Sequence, residues 1–169
     1  MYFDFVKQMQ KQLGQMNVWF DELETFATGR GFDPNVVLTA RLAPDQFPLL
    51  RQIQVTCDMA KLGASRLTGK EAPTHADDEK TIADLRARVA STVAYLETFT
   101  DADFVDVGAR KVTTPRWEGE WMTGHDFFVE HAMPNFFFHL SHVYALLRHA
   151  GVPVGKRHFL GKVSRRKPE

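Results

Sequence analysis

Cysteine is almost absent. One residue, Cys57, in a chain of 169 excludes an intramolecular disulfide and any cysteine-rich zinc cage. Its expected role is that of a small buried hydrophobe. Net charge is missing too: 21 basic and 21 acidic residues leave the chain formally neutral, without the electrostatic footprint of a nucleic-acid or anionic-membrane binder. No stretch approaches the roughly 18 apolar residues that a membrane-spanning helix needs. The opening MYFDFVKQMQKQL lacks the basic-then-apolar order of a secretory signal, so the cytoplasm is the expected location. A GxSxG nucleophile elbow, P-loop spacing and fixed-period repeats are all lacking. Asp77, Asp78 and Glu79 stand together without the spaced ligands and glycine of an EF-hand, and are expected to favour the positive end of the helix that follows.

What is present is helical periodicity. Val6, Met9, Leu13, Met16, Phe20 and Leu23 recur at three- and four-residue steps, which predicts a first helix from Tyr2 to about Ala27. Gly29, Gly31 and Pro34 then stop it and open a long connection. A second helix is expected from Pro44 and Asp45 to Gly69, with Pro48 inside its first turn. Its core stripe is Leu49, Ile53, Cys57, Ala60, Ala64 and Leu67, and Arg51, Gln54, Asp58, Lys61 and Ser65 read as a solvated face. Ile82, Leu85, Val89, Val93 and Leu96 carry a third helix over 79–98. Between it and the fourth, RKVTTPRWEGEWMT suits a short β-hairpin or extended lid anchored by Trp117 and Trp121.

The fourth helix, GHDFFVEHAMPNFFFHLSHVYALLRHAG from Gly124 to Gly151, holds five of the histidines. Thr123 is its N-cap candidate, and Pro134 is expected to kink it. At about 100° per residue, His131, Asn135, His139 and His142 fall within an arc of roughly 80°, one stripe of metal-competent or hydrogen-bonding groups. Two readings stand. The stripe contributes to a divalent-metal site, which needs further ligands from a second helix; or it forms a hydrogen-bonded buried network. Residues 155–169, with Lys156, Arg157, Lys162, Arg165, Arg166 and Lys167, are expected to form a basic C-terminal tail beyond a domain of residues 1–154.

The segments FPLLRQIQVTCDMAKLGASRLTG and HAMPNFFFHLSHVYALLRHAGVPVGKRHFLG, with the hairpin between them, resemble the DUF1993 family within the DinB/YfiT-like superfamily. The resemblance covers nearly the whole chain. It implies an all-α, up-down-down-up four-helix bundle with a short β-hairpin or extended segment between helices three and four. It also implies a homodimer and a divalent metal such as zinc or nickel, held by one histidine of helix two and an HxxxH pair of helix four. Some members of the superfamily are thiol-dependent transferases or hydrolases. Here the second histidine of the pair falls on His139 and the first on Asn135. Helix two has no histidine around Gln54 to Asp58.

Two functional readings follow. In the first, His139, His131 and Asp58 hold a divalent metal in a pocket that includes Gln54, Asn135 and His142 and acts on a small molecule, as a transferase or hydrolase. In the second, the protein is non-catalytic, carries no cofactor, and serves in ligand binding or dimerisation. Neither membrane nor nucleic acid is an expected partner.

Overall fold

A computed structural model describes residues 1–166, and Lys167, the last basic residue expected in the tail, lies outside them. The chain is mostly helical with one two-stranded sheet. α1 (Tyr2–Arg30) buries Val6, Met9, Leu13, Met16, Phe20 and Leu23, the periodic set, together with Trp19. Burying one large apolar side chain contributes about 1.5–3 kcal/mol, so this stripe anchors the helix. The helix ends three residues beyond Ala27, where Gly31 takes the left-handed conformation (φ 71°) and it and Phe32 donate to the carbonyls of Thr28 and Ala27. A 3-10 turn over Pro34–Thr39 follows, capped by the Asp33 side chain.

α2 (Leu49–Thr68) starts later than Pro44 and Asp45 suggest. Pro48 is its N-cap, with extended backbone (ψ 164°), and a residue preceding proline is disfavoured from the helical region. A helical turn running through Phe47 into Pro48 is therefore disfavoured. At the far end Gly69 adopts φ 82°, and a Cβ there would stand 2.6 Å from the Arg110 guanidinium.

α3 (Ile82–Glu97) opens on a capping box in which Thr81 and Asp84 satisfy each other's backbone donors. The first-turn acid is thus Asp84, and Asp77, Asp78 and Glu79 all precede the helix. Asp77 and Glu79 turn to Arg88 instead, at 2.7 and 2.8 Å. A charged hydrogen bond to a buried guanidinium outweighs the few tenths of a kcal/mol, up to about 1, that a helix dipole offers an exposed acid.

Two 3-10 turns, Asp101–Phe104 and Val107–Ala109, lead into β1 (Lys111–Val112), which pairs antiparallel with β2 (Met122–Thr123) in the register Lys111 with Thr123 and Val112 with Met122. Of the two expected anchors only Trp117 serves as one, packing edge-on against Phe127 and His131. Trp121 is exposed, with the Lys111 ammonium over its ring.

The long fourth helix comprises α4 (Gly124–Asp126), a π-helical turn over Phe127–Ala132, and α5 (Met133–His149), in unbroken succession. Thr123 caps it by accepting from the Asp126 amide. Its entry is close-packed: a Cβ on Gly124 would overlap the Val107 carbonyl oxygen. Pro134 brings no N–H to the turn before it. Met133 instead donates five residues back, to Phe128, which is how the helix absorbs the loss as a π turn. α2 lies between α5 and α3 and packs on both, while α1 packs on α3 and reaches α2 and α5.

The start of the expected basic arm is held down. α6 (Lys156–Leu160) returns to α1, where Phe159 stacks on Trp19 at 5.7 Å and the Trp19 indole donates to the His158 carbonyl. Val152 and Val154, just before it, are buried. Among the described residues no helix is long and apolar enough to cross a membrane.

Candidate functional site

A cavity of about 400 Å³ lies between α2, α5 and the 3-10 turn Pro115–Trp117 that joins the two strands. The α2 wall is made by Arg51, Val55, Asp58, Met59, Leu62 and Arg66, which recur at helical spacing beside the buried core stripe. His131, from the π turn, with Asn135 and His139 from α5, forms the opposite wall, and Thr114, Arg116 and Trp117 form the cover. The structure thus brings together four of the six site residues expected from sequence: Asp58, His131, Asn135 and His139.

The other two lie elsewhere. Gln54 is buried within α2, beside the end of the α2–α3 connection, accepting from Arg51 and donating to Glu79. The His142 imidazole sits on Phe138 with Nδ1 2.7 Å from the Phe138 carbonyl, and lines a smaller hollow with Phe47, Gln52 and His139.

His139 is 8% exposed, and its Nδ1 stands 2.7 Å from Gln52 Oε1. The Gln52 amide nitrogen donates to the Phe47 carbonyl, so its oxygen is the free acceptor. The His139 proton is thereby assigned to Nδ1, leaving the Nε2 lone pair open. Burial, then the proximity of His142 and Arg51, pushes its pKa down to about 4, so the ring is neutral at pH 7. His131 is likewise held below the usual histidine value by burial and by Arg66. Its ring stacks on Phe127 at 5.5 Å, and its buried Nδ1 has no hydrogen-bond partner among the described residues.

Asp58 faces the cavity, but its charge is already compensated. Oδ1 lies 2.7 Å from Arg88 and 3.1 Å from Lys61. Arg88, 1% exposed at its side chain, is the hub of this cluster and also holds Asp77 and Glu79. Burial pushes both of those carboxyls up, yet the hydrogen bonds from Arg51 and Arg88 to Asp77, and from Arg88 to Glu79, hold them below the usual carboxylate range. Arg51 is paired with Asp77 at 2.6 Å. Three cations, Arg51, Lys61 and Arg88, thus balance three carboxylates, Asp58, Asp77 and Glu79. Arg66 and Arg116 make no salt bridge among the described residues.

These donors do not fit a divalent ion as they stand. His131 and His139 are eight residues apart, a rise of about 12 Å along a helix, too far for two imidazoles on one ion. The intervening site, one turn before His139, holds an asparagine amide. Asp58 Oδ1 is committed to two cations, and three arginines line the same cavity. Among the described residues no group of three or more His, Cys, Asp or Glu stands close enough to hold a metal. His139 alone has a ligand-like arrangement, its Nδ1–H fixed by an acceptor and Nε2 open.

Arg66, Arg116 and the His139 partner Gln52 are residues that sequence reasoning passed over, while Arg51 read as solvated and Trp117 only as an anchor of the hairpin. A signal existed for the α2 wall: Val55, Met59 and Leu62 interrupt the face that reads as solvated, at the same helical spacing. Cys57 lies behind that wall, fully buried, its thiol pushed up to about 12 by desolvation.

Residues 1–160 match the family described as "Domain of unknown function (DUF1993)". The chain is also similar to a DinB family member protein from Shewanella denitrificans, known from a crystal structure. The two are 47% identical, with a TM-score of 0.93, over 96% of this chain and 93% of that one. No functionally curated protein matches.

Proposed function

The chain belongs to the DUF1993 family, of the DinB-like superfamily, and from that premise we propose that its cavity binds a small organic molecule without a resident divalent metal. The observation that carries this reading is the state of Asp58: the one carboxylate on the cavity wall is neutralised by Arg88 and Lys61. A cavity of about 400 Å³ with apolar walls and a few convergent polar groups has the form of a small-molecule site. The four long helical stretches, α1, α2, α3 and α4–α5, support reading the frame around it as the up-down-down-up bundle of the superfamily.

A second reading is favoured by one feature, the His139–Gln52 hydrogen bond, which orients a histidine as metal ligands are oriented. On that reading the protein is a metal-dependent transferase or hydrolase. Metal analysis separates the two. Protein purified without an affinity tag, incubated with zinc or nickel and passed through a desalting column is expected to carry far less than one ion per chain. One ion per chain, lost in His139→Ala, would overturn the first reading in favour of the second.

A further inference from the structure

The cavity has a direction. Arg51 and His139 lie at one end, Asp58 and Asn135 midway, and Arg66, Arg116 and His131 at the other. Arg51 and Arg66 are 15 residues apart on α2, about 22 Å along the axis, so the two ends are electrostatically separate. At the Arg51 end every formal charge has its counter-charge. At the Arg66 end none does. Arg66 lies partly over the Phe127 ring, with Arg116 as its charged neighbour, and neither has a carboxylate partner among the described residues. A half-buried guanidinium beside a second one, without an anion, is costly, and burial and Arg116 together lower the Arg66 pKa. The His131 imidazole at the same end stays neutral beside them. Between the ends, alongside Asp58 and Asn135, the cavity has an apolar strip: Val55, Met59 and Leu62 on α2, with Trp117 in the cover.

Resting on the small-molecule reading above, we infer that the natural ligand is an organic oxyanion, a carboxylate or phosphate ester with a flat apolar body, whose charge is bound between Arg66 and Arg116. Two planar guanidiniums supply forked donors that match an oxyanion, and supplying the missing charge removes their mutual repulsion. The body lies along Val55, Met59 and Leu62 beneath Trp117. Asn135, with amide donors and an acceptor, and the open Nε2 of His139 read polar groups at the far side. Because Arg116 belongs to the cover rather than to a long helix, the anion also draws the Pro115–Trp117 turn onto its ligand.

The test uses three probes of one shape: phenylacetate, phenyl phosphate and the uncharged phenylacetamide. Their affinities are measured by NMR titration of the whole protein, with the Asn135 side-chain amide signals reporting occupancy of this cavity. At least one anion is expected to bind about tenfold or more tightly than the amide. Preference for phenylacetate assigns a carboxylate ligand; preference for phenyl phosphate assigns a phosphate ester. Arg116→Gln, at an exposed position, and Arg66→Gln are each expected to lower anion affinity about tenfold and amide affinity far less, so that the preference for the anion collapses. Equal affinities for acids and amide overturn the inference while keeping the cavity as a binding site. An anion preference that survives the double variant overturns it too. Should neutral and cationic fragments as well as these anions leave the cavity empty in soaked crystals, the small-molecule reading itself fails.

Discussion

The neutral, buried state of His139 makes stability depend on pH in a defined window. In the unfolded chain a histidine takes up a proton with a pKa of about 6.5, whereas the folded protein resists protonation of His139 down to about 4. Between those values the unfolded state binds more protons, so stability rises with pH. The contribution is complete above about pH 6.5 and is lost as the pH falls toward 4. At 1.36 kcal/mol per pKa unit, going from pH 7 to pH 4.5 removes about 2.4 kcal/mol. For a chain of this size that corresponds to a fall in Tm of about 5–10 °C. His75 and His131, also held below the usual value, first by burial, push in the same direction. Asp77 and Glu79 lose their contribution only lower, as the pH falls through their depressed pKa values. The His139 part is isolated by urea unfolding of the native protein and of His139→Gln at pH 7, 6, 5 and 4.5. The stability gap between them should shrink, or reverse, by about 2 kcal/mol over that range. A gap that stays constant with pH would refute the assignment of His139 as a neutral buried imidazole.

Three further outcomes are expected. Arg88→Met deprives Asp58, Asp77 and Glu79 of their shared buried cation, and should cost about 3–5 kcal/mol in urea unfolding at pH 7; a loss below about 1 kcal/mol would mean that the network is solvated and weak. Gly124→Ala drives a methyl group against the Val107 carbonyl oxygen and should destabilise by about 1–3 kcal/mol, so an unchanged Tm would contradict the close approach at the start of α4. Cys57, fully buried and with its thiol pushed up to about 12, should react with Ellman's reagent only at the rate of unfolding; rapid stoichiometric labelling of native protein would contradict that burial.

The helices were legible because one face of each is apolar at a steady spacing, and their ends because Gly31, Gly69 and Gly151 occupy left-handed positions that most residues avoid. The start of α2 was not. Pro44 and Pro48 both suit a helix start, and the choice of Pro48 is fixed together with a tertiary contact, the Leu49 amide donating to Ala40. The histidine stripe shows a different loss. A helical wheel gives direction but not height, so residues eight apart appear as neighbours although one stands two turns above the other. Arg88 and Asp58, 30 residues apart on α3 and α2, meet only once the two helices are set in register, and that pairing determines what Asp58 can do. Arg51 seemed bound for solvent, and Arg66 drew no reading at all, since a charged residue beside a core stripe is more often solvated than lining a cavity. The Pro115–Trp117 turn that covers Arg66 comes from about 50 residues further along the chain.

The claim that most needs testing is that the unpaired cations, rather than the histidines, determine what the cavity holds. A crystal soaked with phenyl phosphate or phenylacetate, in buffer containing zinc, examines both alternatives at once. The expected result is the anion between Arg66 and Arg116 with its ring beneath Trp117, and no ion at His139 Nε2. A zinc ion on His139 Nε2, with Asp58 released from Arg88 to join it and no anion at the two arginines, would contradict the account.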